Sequence, residues 1–226
     1  MDELFRDKFR AVGAATVLII AVFFIVLLFV QQREKKNISF KLKVFMTDIT
    51  QSLLISKNNN GLPGDWGLKP GYKNAGILYN NFFKYLKISE DCINTSGNCF
   101  IDGNYKSIKQ KETTFNVHKL PAVKMQNGIS IAVETISTCR KANEICSIIY
   151  VDLNNIEEPN AFGKDMFVFS IINDDTSPIK PYNPILPEDI LRDNHKYGCN
   201  KDSEAALYCA AMIYKNGWNI DSSYPW

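Results

Sequence analysis

Histidine is close to absent, with two in 226 residues. That scarcity leaves little for a zinc site mixing His with Cys, or for a nucleophile that needs a His base. Charge of one sign is also missing in bulk: 26 Lys and Arg face 24 Asp and Glu, for a formal net charge of +2. Such a balance does not describe a basic nucleic-acid-binding surface, and no nucleic-acid partner is expected. No internal repeat is visible. The cysteines lack the two-residue spacing typical of zinc sites. Polar low complexity is absent too, because 46% of the chain is apolar, enough for one domain's core with room for a smaller subdomain.

What is present begins with a long apolar run. Residues 11–30, AVGAATVLIIAVFFIVLLFV, carry no charge. At a rise of ~1.5 Å per residue, such a run spans the ~30 Å hydrocarbon core as one helix. The apolar part of a cleaved signal peptide is usually ~7–15 residues and ends in small residues. Here the run is longer and leads into QQREKK. The expectation is a membrane anchor that leaves residues 1–10 as a cytoplasmic tail.

Orientation sets two signals against each other. Arg33, Lys35, Lys36, Lys41 and Lys43 outnumber Arg6, Lys8 and Arg10, which by basic count favours a cytoplasmic C-terminal side. Against this, Cys92 and Cys99, Cys139 and Cys146, and Cys199 and Cys209 form sequence-local pairs around polar, turn-rich stretches. Three disulfides are the expectation, and disulfides persist in oxidising compartments. Long domains translocate largely regardless of flanking charge, so the cysteines decide. The large domain is expected outside the cytoplasm.

Beyond the anchor, Ile38, Leu42, Phe45, Ile49 and Leu53 recur at helical steps and make one apolar stripe. Residues 31–57 therefore read as an amphipathic continuation of the same helix, ending where NNNGLPGDWGLKPGY begins. Residues 58–113 form a loop region with a short helix around Ile77, Leu78, Phe82, Tyr85 and Leu86. Residues 114–226 read as β: AVKMQNGISIAVETI as a hairpin with a tight primed turn at Asn127 and Gly128, then CSIIYVDL and MFVFSII. The prolines at 178, 181, 184 and 187 mark a non-regular stretch, and a short helix is expected over residues 203–215. The fold class is α+β, with a long N-terminal membrane-spanning helix packed on a four-stranded antiparallel sheet, stapled by disulfides.

This order of elements resembles the type IV pilins and type II secretion pseudopilins. Within VDLNNIEEPNAFGKDMFVF, Val151, Asp152, Asn154, Pro159, Asn160, Gly163, Asp165 and Phe167 match a stretch of that group reading Val-Asp-x-Asn-Gly, three residues, Pro-Asn-x-x-Gly-x-Asp-x-Phe. The closing CAAMIYKNGWNIDSSYPW is similar to the group's C-terminus, and the resemblance covers roughly residues 38–226. The start departs from the pattern. There is no Gly followed by Phe-Thr-Leu-x-Glu, and Gly13 precedes Ala14 and Ala15 with no acid five residues on. Neither leader cleavage nor N-methylation carries over, and Glu3 reads as part of a solvated tail before it reads as a substitute acid.

The resemblance implies a non-enzymatic subunit of a pilus or secretion machine in the bacterial inner membrane. Its partners would be the membrane, copies of itself or other pilin-like subunits, and assembly components. Gly13, Ala14 and Ala15 suit the close packing that joins helices in lipid. The alternative is a membrane-anchored periplasmic binding or adhesion protein on the same fold, and a third reading is an anchored envelope hydrolase. Asp152, Asn154, Asn160 and Asp165 offer oxygen donors of the type calcium takes, and the resemblance adds calcium as a candidate cofactor. The leading reading of these residues is turn capping through their own side chains. His118 and His195 read as surface or capping residues, Asp174 and Asp175 as a turn, and Trp66, Trp218 and Trp226 as packing.

Overall fold

The computed structural model describes residues 3–93 and 99–226, with side chains from Thr16 onward. Glu3, Gly13, Ala14 and Ala15 thus have side chains outside the described residues. Helix α1 runs from Glu3 to Asn60, and the chain divides into two compact units, one ending at Asn37 and the other spanning Ile38–Trp226.

In the first unit the apolar side chains from Val17 to Val30 are all exposed, and none of the apolar window is buried within the protein. It is the one helix among the described residues that is long and apolar enough to cross a membrane. By length and composition, a single span or a signal sequence passes that test.

In the second unit, Leu42, Phe45, Ile49 and Leu53 are buried, and Ile38 is half-buried. Burying each large side chain stabilises by about 1.5–3 kcal/mol, so this stripe is a main bond between helix and sheet. Phe45 meets Phe169 of the sheet with ring centroids 4.8 Å apart. Further along α1, Ser52 donates to the Tyr85 carbonyl at 3.1 Å and Ser56 to the Asn81 carbonyl. These bonds tie α1 to α2 (Ala75–Asn81) and to the 3-10 turn Phe83–Tyr85 that follows it.

The sheet has six strands, not four. β1 (Ile88–Asp91), β2 (Ala122–Met125), β3 (Ser130–Thr135), β4 (Ile145–Asp152), β5 (Met166–Ile172) and β6 (Ile179–Pro181) lie in sequence order, each antiparallel to the last. The two additional strands are the edges. β1 carries Ser, Glu and Asp and is interrupted by a register shift, while β6 ends in a proline, which a ladder tolerates only at its margin. Both are short and lack the near-continuous apolar run of β4 and β5.

The hairpin turn also differs from the expected primed type. Gly128 is left-handed at φ +85°, but Asn127 is not among the positive-φ residues. Gly128 N–H donates to the Met125 carbonyl and Met125 N–H to that of Ile129, closing a three-residue loop whose last member is the glycine. In the C-terminal region, α3 (Glu188–Asp193) begins directly after the proline-rich stretch, with Pro187 at its N-cap. α4 spans Cys209–Lys215, shorter than the expected helix because turns occupy residues 199–208.

Every residue of β5 is buried, so the sheet is covered on both faces. Phe167, Phe169 and Ile171 share one face with Val151, Ile149 and Ser147 opposite them, and Phe169 turns that face to α1. Tyr150, Asp152, Val168 and Met166 lie on the other face, where the Tyr105 hydroxyl reaches Asp152. The disulfides Cys92–Cys99, Cys139–Cys146 and Cys199–Cys209 are formed, and no cysteine is free.

Candidate functional site

The end of β4 and the loop leading to β5 hold the four oxygen-bearing residues singled out in the sequence, and three of them are buried: Asp152 at 0% exposure, Asp165 at 4% and Asn160 at 5%. A buried carboxylate must be answered by donors. For Asp165 these are the backbone N–H groups of Asn160 and Ala161, each 2.7 Å from a different carboxylate oxygen. Asp152 accepts the Tyr105 hydroxyl at 2.5 Å and the Asn154 N–H at 3.1 Å. Asn154 and Asn160 also stitch the loop, their amide groups donating to the carbonyls of Glu157, Glu158 and Ile156. Left-handed Asn155 and Asn160 make the corners, a conformation Asn adopts more readily than most residues.

Both carboxyls are pushed up from the usual range. Burial is the first cause for each; for Asp152 the neighbouring Asp165 charge adds to it, while the hydrogen bond from Tyr105 pulls the other way. Burial and the Asp152 charge together raise the Tyr105 hydroxyl. The loop is anchored to the helix as well, through Lys41 Nζ, which donates to the Leu153 carbonyl at 2.7 Å.

These residues share a hard cation's donor chemistry. The Oδ1 atoms of Asn154 and Asn160 are buried with no hydrogen-bond partner among the described residues, which fits a group that accepts oxygen ligands. Calcium takes about six to eight such oxygens. Here each carboxylate oxygen already accepts a hydrogen bond from the protein, and among the described residues no third acid, His or Cys joins the pair. The hydrogen bonds describe a capped turn, and the two amide oxygens are what it leaves unanswered.

The far side of the loop is closed by residues that composition did not single out. Gly163, at φ +78°, lies so close to its neighbours that a Cβ there would come within 2.8 Å of Cys209 Sγ and of Ile108 Cδ1. Its carbonyl accepts two hydrogen bonds, from the Tyr224 hydroxyl at 2.7 Å and from Trp226 Nε1 at 3.0 Å. The loop, the Cys199–Cys209 disulfide and the C-terminal aromatics thus meet at one glycine. Tyr105, the partner of Asp152, carried no sequence signal. The Lys106 N–H bonds the Asn160 carbonyl and so draws that segment alongside the loop.

The remaining candidates lie elsewhere. His118 Nε2 is 3.7 Å from Asp102, and His195 Nδ1 is 3.8 Å from Glu204. Among the described residues neither histidine is hydrogen-bonded through its ring to a serine or cysteine. Asp174 accepts the N–H groups of Thr176 and Ser177 and the Lys180 ammonium, bonds that hold its carboxyl well below the usual range, as a turn cap does. Trp66 is buried with Nε1 on the Gly61 carbonyl, and Trp218 stacks on Phe169.

No significant match emerges among curated proteins or among solved structures. Residues 28–226 match a family described as a family of unknown function (DUF6613), and the chain belongs to that family.

Proposed function

We propose that the protein is a non-enzymatic, pilin-like or pseudopilin-like subunit of a type IV pilus or type II secretion-type envelope machine, acting through helix packing and assembly. Residues 11–30 would cross the bacterial inner membrane once, with the N-terminus cytoplasmic and the Ile38–Trp226 unit periplasmic or extracellular. The observation that carries this reading is the two-part character of α1. Over residues 17–30 it exposes an uncharged apolar surface that the described residues leave uncovered, while Leu42, Phe45, Ile49 and Leu53 are buried on an antiparallel meander. An apolar surface of that size calls for lipid or for other helices. The three disulfides support an oxidising location for the second unit.

Contact between copies in lipid would depend on close packing at Gly13, Ala14 and Ala15. Site-specific cross-linking of the intact protein in membranes tests the reading. Self-association, or capture of secretion components, is expected, and Gly13→Leu should weaken it while the disulfide-bonded unit stays folded. Cross-linking that is unchanged by Gly13→Leu would refute the packing role, and no cross-link at any exposed helix position would refute the subunit reading.

One observation favours the second reading, an anchored binding or adhesion protein. A cavity of about 660 Å³ opens beside the Cys139–Cys146 loop, lined by Asp65, Arg140, Asn143, Asn173 and Asp174 among others. A monomer in membranes that gives no self-cross-link would turn attention there. Calcium remains a subordinate proposal, with Asp152, Asn154, Asn160 and Asp165 as the residues that would hold it. A melting temperature that rises with calcium and falls with chelator, and no longer responds in Asp165→Asn, would support it. Identical melting curves would leave the capped turn as the loop's whole role.

A further inference from the structure

Immediately after the apolar run, α1 turns abruptly basic. Arg33 and Lys36 are exposed, Lys35 is half-buried, and one acid, Glu34, interrupts them. Among the described residues no ion pair engages Arg33 or Lys36. Helical rise puts Arg33 ~4.5 Å and Lys36 ~9 Å beyond Val30 along the axis. The polar headgroup belt extends about 5–8 Å past the hydrocarbon on each side of a bilayer. Arg33 therefore falls inside that belt and Lys36 at its outer limit, within reach of a long side chain that can bend back toward it. No Trp or Tyr lies in residues 16–36, so aromatic rings do not anchor this end.

We propose that Arg33, Lys35 and Lys36 form a collar that binds the phosphate groups of anionic phospholipids in the leaflet where the helix emerges. The argument for lipid, as opposed to an acidic protein, is position and charge: the basic side chains begin three residues after the last apolar one, at the depth where lipid phosphate is the most abundant anion. This rests on the reading of residues 11–30 as a membrane span. Each basic side chain near an anionic surface strengthens binding by a factor of about five, and an acid among them opposes it. The collar also bears on the conflict between basic count and cysteines, since a headgroup-binding role accounts for basic residues on an exported flank.

The test uses the full chain reconstituted into vesicles of phosphatidylcholine alone or of phosphatidylcholine mixed with phosphatidylglycerol. Resistance to alkaline carbonate and a protease-protected fragment report the span. Native mass spectrometry of the protein released from the mixed vesicles reports which lipid stays bound. Retention of phosphatidylglycerol over phosphatidylcholine is expected, reduced at least five-fold in R33Q/K35Q/K36Q and increased in E34Q, with the span intact in both. Equal retention of the two lipids, or a preference unchanged in the triple variant while the span persists, overturns the collar. Extraction by carbonate with no protected fragment overturns the span reading, and the collar with it, by a separate readout.

Discussion

Replacing Gly163 with alanine is the sharpest perturbation of the candidate site. Two effects add. A residue with a Cβ held in the left-handed region costs about 1–2 kcal/mol, and Gly163 is held there at φ +78°. The new methyl would also sit 2.8 Å from Cys209 Sγ and 2.8 Å from Ile108 Cδ1, both buried. Cys209 is fixed by its disulfide to Cys199 and cannot swing away, so the overpacking falls in the usual range of about 1–3 kcal/mol. The sum is roughly 2–5 kcal/mol, a fall in melting temperature of roughly 5–15 °C for a chain of this size. Gly128→Ala supplies the control: its φ of +85° imposes the backbone term, but a Cβ there meets nothing within 4 Å. Circular-dichroism melts of the full chain in detergent should show Gly163→Ala falling well below Gly128→Ala. Equal losses, or a Gly163→Ala melt matching the wild type, would refute the close approach on which the loop's closure depends.

Three other outcomes are expected. Tyr224→Phe combined with Trp226→Phe leaves the Gly163 carbonyl without its two donors, and should lower stability by about 1–3 kcal/mol in urea titrations; an unchanged midpoint would count against the clamp. Because burial raises Asp152 and Asp165, the folded state keeps protons that the unfolded chain releases. Their contribution is complete below about pH 4 and is lost as pH rises through the elevated folded values. The stability of Asp152→Asn relative to wild type should therefore improve with rising pH, and parallel pH profiles would be the contrary result. Finally, the disulfides close loops of sequence separation 7, 7 and 10. At about 2–3 kcal/mol each they amount to a large share of a domain's stability. The isolated protein should show no reactive thiol and should unfold under dithiothreitol at moderate temperature; reduction without loss of near-ultraviolet dichroism would contradict this.

The interior of this fold was legible in the sequence because its pattern is repeated and strong. The stripe from Leu42 to Leu53, the cysteine pairs and the strands β2 to β5 each follow from periodicity or spacing that burial requires. The margins were not. β1 and β6 are short, polar or proline-bearing edge strands, held in place by Met125 and Phe169 opposite them and not by any pattern of their own. The hairpin turn departs from the primed type for a similar reason, since Asn-Gly suits more than one loop length and the pairing of Met125 with Ile129 decides between them. At the candidate site, Asp152, Asn160 and Asp165 stood out by composition. Gly163, Tyr224 and Trp226 lie in the stretches that carry the resemblance, but their contact with one another was not legible, nor were Tyr105 and Lys41, because each acts through a partner far away in sequence, 47 residues for Tyr105 and 61 for Tyr224.

The order of the six strands has a kinetic consequence. Each pairs only with its immediate neighbours in the sequence, so the ladder can be laid down progressively as the polypeptide emerges, without waiting for a distant segment. Loop closure over short separations is fast. The contacts complete at different times: Ser52 and Ser56 of α1 meet their partners at residues 81–85 early, Phe45 waits for Phe169 of β5, and the Gly163 carbonyl waits for Tyr224 and Trp226 at the end. The interval between those events is when an unfinished molecule is most exposed to a chaperone or a protease.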